Sequence, residues 1–232
     1  PFTLAWQMRV DPVNLKMKAL VESGVLGRVL MVRRRHGLPT HLWPGFAQSW
    51  HVKPELNRGM WADDAAHPAD FLLWLLGEPV SVMAEIGTLV SRDVPDDHGI
   101  AVYRYASGIM AEVVCSFACV AGENTTEITC DRGVIVSNHG DVPSTNVPRP
   151  PGGIALKWYR QETGAWEISD LVAPANHSAR IMGLAAPLRE FLEGRRPPIA
   201  TAEEGRTALK MILASHVSSK EGRRVALAEI RA

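Results

Sequence analysis

The chain has 232 residues, of which 46% are apolar, and its 25 basic residues balance 25 acidic ones to a formal net charge of zero. That composition supports a sizeable core, excludes a disordered or polyionic chain, and gives no electrostatic case for nucleic acid or a charged membrane surface as partner. No apolar run approaches the roughly 18 residues of a membrane span. The three cysteines, Cys115, Cys119 and Cys130, suggest neither a disulfide framework nor a zinc site, so no metal is expected and a reducing cytoplasm is the expected compartment.

In chain order, Phe2–Val10 reads as a buried strand that turns polar at its end. Asp11-Pro12 then opens a helix, with Asp as N-cap and Pro at the first position, and Gly24 is its natural stop. Gly27–His36 reads as a second strand, and Arg33, Arg34 and Arg35 read as a solvated edge more readily than as an anion site. Leu38–Met60 is a long connection carrying His41, Trp43, Phe46, Trp50, His51 and Lys53. Two readings of it stand level: an aromatic loop packed over the sheet, or a substrate wall in which tryptophan stacks on a ring and polar neighbours fix hydroxyl groups.

Gly59–Gly77 organises the rest. It begins polar, becomes an apolar helix and stops at Gly77 before Pro79. Pro68 has no N–H and is tolerated within a first turn, which places the helix start near Asp64, with Asp63 and Asp64 as capping candidates. Asp63 and His67 are four apart at its mouth, where a carboxylate-oriented imidazole can move a proton near neutral pH. Taken alone, the spacing fits common capping carboxylates better than a catalytic pair.

A period of two follows. Val80–Val90, Gly99–Tyr105 and Ile109–Val120 read as antiparallel strands, the last two joined at Tyr105–Gly108. Thr125–Cys130 pairs with Gly133–Ser137, Gly140–Gly153 is loop, and Ala155–Tyr159 pairs with Ala165–Ser169. Ser178–Glu193 reads as a helix kinked at Pro187, Thr201–Glu221 as a helix opened by a capping box, and Arg223–Ala228 as a closing strand.

Gly59, Asp63, His67, Asp70, Trp74, Leu75 and Gly77 fall in register with the central motif of the Gfo/Idh/MocA oxidoreductases, which the chain resembles over nearly its whole length. Asn57-Arg58 and Ala65 depart from that motif's glycines. Gln7-Met8-Arg9, Ser23–Gly27, Trp50–Glu55 and Arg195–Arg206 resemble further family passages.

The resemblance implies an α+β fold: a large, open, mostly antiparallel sheet with helices on one face. It implies that residues 1–10 are the last strand of a missing dinucleotide-binding domain and that 11–232 form the C-terminal domain, which binds substrate and oligomerises through the bare sheet face. It further implies Asp63 and His67 as catalytic residues, and Arg9, Trp50, His51 and Lys53 at the substrate, a sugar, cyclitol or related polyol. NAD or NADP is the implied cofactor, held mainly by the missing domain, since the sequence has no Gly-x-Gly-x-x-Gly. The alternatives are an NAD-assisted hydrolase or lyase on the same scaffold, and a non-catalytic ligand-binding or dimerisation module.

Overall fold

The computed structural model describes residues 1–91, 94–137 and 152–231. Six helices, α1 (Pro12–Glu22), α2 (Met60–Asp63), α3 (Ala66–Leu76), α4 (His177–Met182), α5 (Ala185–Leu192) and α6 (Ala202–Glu221), accompany nine strands among these residues. The strands are β1 (Val29–Gly37), β2 (Ser81–Gly87), β3 (His98–Arg104), β4 (Met110–Ser116), β5 (Glu123–Cys130), β6 (Gly133–Ser137), β7 (Leu156–Arg160), β8 (Ala165–Ile168) and β9 (Val225–Ala226). They form one sheet in the order β8-β7-β6-β5-β1-β4-β3-β2-β9. Only β1 and β4 run parallel among the described pairs; the rest are antiparallel. The fold is α+β, as the resemblance implied.

Local sequence explains the helix ends. Asp11 accepts from the N–H groups of Val13 and Asn14 with Pro12 behind it, and Thr201 and Glu204 complete a reciprocal capping box. Burial then selects one face of the sheet. On β1, Val32, Arg34 and His36 are buried beneath the helices, whereas Met31, Arg33 and Arg35 point to the open face. Val113 and Cys115 of β4, Ile128 of β5 and Ile135 of β6 join the same core, with Met17, Phe71, Leu72, Met211 and Ile212 from the helices. Arg34 and His36 are therefore polar groups on the buried side of a central strand, and they form the floor of the site.

Several expectations are corrected. Phe2–Val10 is not a strand: it joins no sheet ladder among the described residues, making only a single long-range backbone bond, from Leu4 to Ala200, and Gln7–Arg9 is a turn of 3-10 helix drawn inward by Arg9. Asp63 and Asp64 do not cap the start of the apolar helix: α2 ends at Asp63 with Asp64 as its C-cap, and α3 restarts after Ala65, which makes no side-chain cap. Pro68 does fall in the first turn of α3, as its missing N–H required. The break in the late helix comes at Gly183-Leu184, between α4 and α5, and not at Pro187, which sits within the first turn of α5. β4 ends at Ser116, so Cys119 lies beyond the strand that carries Cys115. Of the expected loop Gly140–Gly153, residues 140–151 lie outside the described residues.

Candidate functional site

The site gathers where the end of β1, the start of α3 and the loop 38–60 meet. The turn at Asp64-Ala65 separates α2 from α3, so the four-residue spacing of Asp63 and His67 does not run along one continuous helix. The two side chains consequently part. Asp63 turns to the loop, with Oδ2 3.2 Å from Asn57 Nδ2 and 3.6 Å from His51 Nε2. The acid behind the helix mouth is Asp64.

Asp64 Oδ2 accepts from the Cys115 thiol at 3.1 Å and lies 3.4 Å from His36 Nδ1. Arg34 donates from Nε to His36 Nε2 at 3.3 Å, which makes that nitrogen the acceptor and places the ring proton on Nδ1, facing Asp64. Arg34 also lies over the Phe71 ring, its guanidinium carbon 4.6 Å from the centroid, and reaches Thr126. Burial drives His36 down to about 4, so it is neutral at pH 7. Burial pushes Asp64 upward, but His36, the charge interaction with His67 and the Cys115 thiol together outweigh it and hold this carboxyl at about 2. Burial raises Asp63 to about 6, helped by the charge on Asp64 and opposed by Asn57. Two adjacent carboxyls are thus driven apart, one always ionised and one titrating near neutrality, a division that suits acid and base roles.

His67 opens α3. Part of its surface stays open to solvent, while its Nδ1 is buried with no partner. Its ring meets the edge of Trp6 at 5.4 Å and lies nearly parallel to His36 at 6.5 Å. Burial lowers its proton affinity, Asp64 opposes that, and His177, Arg180 and Arg34 reinforce it. The imidazole is therefore neutral at pH 7 and able to accept a proton. Nδ1 of His177, Nη1 of Arg180 and the side-chain amide of Asn124 are also buried without a protein partner. Groups of this kind are ordinarily satisfied by water or a bound polar molecule.

Of the residues expected at a substrate, Arg9 is withdrawn. It is 5% exposed, its Nε and Nη2 bond Asp70 at 2.7–3.2 Å, and its Nη1 reaches Glu204 at 2.6 Å, so its charge is spent within the fold. Trp50 is half exposed and stacks on His51 at 3.9 Å. Lys53 is exposed on the same loop. Sequence reading missed Asp64 as a site acid, together with His36 and Cys115. Alternation along β1 offered the one signal, since it sets His36 and Arg34 on the same face as Val32.

No group of three or more His, Cys, Asp or Glu side chains able to hold a metal ion occurs among the described residues. None of their helices is long and apolar enough to cross a membrane. The sequence contains no Gly-x-Gly-x-x-Gly.

Comparison with known proteins places this architecture. The model of the GFO/IDH/MocA C-terminal domain matches residues 14–136. Inositol 2-dehydrogenase 2 of Mycolicibacterium vanbaalenii is 25% identical over 169 residues, 69% of this chain and 46% of that protein. The chain therefore spans about half the length of the curated relative it matches. Among solved structures, the WlbA dehydrogenase of Bordetella pertussis, in complex with NADH and UDP-GlcNAcA, superposes with a TM-score of 0.69 at 22% identity, over 95% of this chain and 61% of that one. A levoglucosan dehydrogenase in complex with NADH superposes with a TM-score of 0.74 at 20% identity, over 96% of this chain and 65% of that one.

Proposed function

We propose a function for a chain that belongs to the GFO/IDH/MocA family: it is the substrate-side domain of an NAD(P)-dependent oxidoreductase acting on a hydroxyl carbon of a sugar, cyclitol or related polyol. In this reading a dinucleotide-binding domain accompanies it in the whole protein and holds the cofactor phosphates. When bound, the nicotinamide supplies the acceptor or donor of the hydride. The residues of this chain handle the proton and the substrate. His67, neutral at pH 7, takes the hydroxyl proton on its imidazole and returns it in the reverse direction. Asp63 meets the substrate hydroxyl, and Trp50, His51 and Lys53 wall the entrance. The fixed charge of Asp64, behind His67, stabilises the imidazolium that proton transfer creates.

The observation that carries this reading is the unpartnered, neutral His67 beside a permanently ionised carboxylate. His67→Ala in the whole protein is expected to leave folding intact and lower turnover by about 10²–10⁴-fold. Turnover like that of the parent protein overturns the assignment.

A second reading has one observation in its favour. Asp63 holds its proton up to about pH 6, so near neutrality it can protonate a leaving group, as an NAD-assisted hydrolase or lyase requires. Cofactor absorbance during turnover separates the two: net reduction accompanies dehydrogenation, and recycling accompanies elimination. Association of two copies through the open sheet face belongs to the same proposal.

A further inference from the structure

His51 is built into its place more firmly than a residue on an entrance loop needs to be. Its ring stacks on Trp50 at 3.9 Å with 25° between the planes. Trp43 and Phe117 meet it edge-on at 5.9 and 5.8 Å, and Phe46 closes a fourth side at 6.0 Å. Ser49 Oγ lies 3.3 Å from Nδ1, which leaves Nε2 directed at Asp63 Oδ2, 3.6 Å away. Asn57, itself buried, ties the loop to the carboxylate. Its Nδ2 donates to Asp63 Oδ2 at 3.2 Å and to the His51 carbonyl at 3.3 Å, and its Oδ1 accepts from the Gly59 N–H.

We propose that His51 is a positioning residue for Asp63: ring and carboxylate, clamped together by Asn57 inside an aromatic wall, form one pair that shares a proton at the entrance of the site. The proposal rests on the reading of Asp63 as the group that meets the substrate hydroxyl, and it gives that group a defined aim and charge.

The groups facing the pair are few. Asp63 faces Asp64, which repels its charge, Asn57, and the Cys115 thiol of β4. His51 faces Ser49, Asp63 and four aromatic rings. Burial raises the one partner and lowers the other. Two titrating groups this close couple, and small movements pass a proton between them. A separation of 3.6 Å is longer than a good hydrogen bond, and closing it by about half an ångström makes one.

The first test needs neither cofactor nor substrate, so its failure is separable from failure of the oxidoreductase reading. In the full chain, the His51 ring carbons are followed by NMR through a pH titration. The pair predicts a curve with a second inflection contributed by Asp63. It also predicts that Asp63→Asn lowers the His51 midpoint by about half a pH unit or more, since a carboxylate this close is worth at least that even in a water-like dielectric. A single-inflection curve, or a midpoint unmoved by Asp63→Asn, overturns the proposal. If Asp63→Asn fails to fold, the shape of the parent curve alone decides. In the whole protein, His51→Phe keeps the stacking ring and is expected to move the acid limb of the kcat profile to higher pH, whereas His51→Gln, which keeps a hydrogen-bonding group, moves it less. Equal profiles for both variants and the parent also overturn it.

Discussion

Asp64 governs the buried side of the site because three groups converge on one carboxylate: the His36 ring, the Cys115 thiol and the charge-sensitive His67. His36 is held neutral, with its ordinary value of 6.5 driven to about 4 by burial. A histidine depressed in the fold binds fewer protons there than in the unfolded chain. Its contribution to stability is therefore fully present above pH 6.5 and is lost as pH falls through about 4. Replacing it by His36→Gln is expected to remove that loss, on the order of 3 kcal/mol across this window. Urea unfolding of parent and variant at pH 7 and pH 4.5 checks the difference: the variant's stability should fall less. Asp63 titrates with the opposite linkage. Its raised carboxyl favours the folded state below its ordinary value of 3.8, and that contribution disappears as pH rises through about 6.

At the scale of elements, the site depends on how short pieces are fastened to α3. Arg9 brings the 3-10 turn Gln7–Arg9 onto that helix by gripping buried Asp70, with Glu204 at the start of α6 as second partner. Arg9→Ala leaves Asp70 buried without its cation and is expected to cost about 3–5 kcal/mol, whereas Arg9→Met combined with Asp70→Leu costs much less. Denaturant midpoints of the parent and the two variants decide this. A second fastening starts α2. Gly59 adopts φ +103°, and Asp96 Oδ1 accepts from the Trp61 N–H at 2.7 Å. A Cβ on Gly59 would run into the Asp96 carboxylate, so Gly59→Ala strains the backbone and displaces the cap at once. It is expected to destabilise by about 1–3 kcal/mol, read as a lowered thermal midpoint, and to misplace Asp63 four residues on.

At the scale of the molecule, the sheet separates two tasks. Its buried face carries Arg34 and His36 to the site, and its open face presents Arg33, Glu112, Glu127 and Val114 around a shallow depression, with exposed Ile100 and Met110 nearby. Arg33 already bonds Glu112 across β1 and β4 at 3.2 Å. Alternating acids and bases around apolar groups suit a self-complementary contact with a second copy. Sedimentation of the chain is expected to show a dimer, and Ile100→Glu to shift it toward monomer. A dimer that withstands Ile100→Glu places the contact on another surface.

The sequence by itself determined what is local or strictly periodic. Proline and aspartate opened α1, Pro68 confined the start of α3 to the residues just before it, the Thr201 box opened α6, and alternation set Val113 and Cys115 on one face. Each follows from neighbours within a turn or from the pleat. Which acid faces which imidazole was decided only by tertiary structure. The turn at Asp64-Ala65 rotates Asp63 away from His67 toward a loop histidine twelve residues earlier, and brings Asp64 against a residue of β1. Arg9 likewise was expected at the substrate until Asp70 and Glu204, distant in sequence, took up its charge. Pairings of this kind depend on how layers stack, because a buried charge is stabilised by whichever opposite group packing places within a few ångströms, and sequence spacing does not encode that distance.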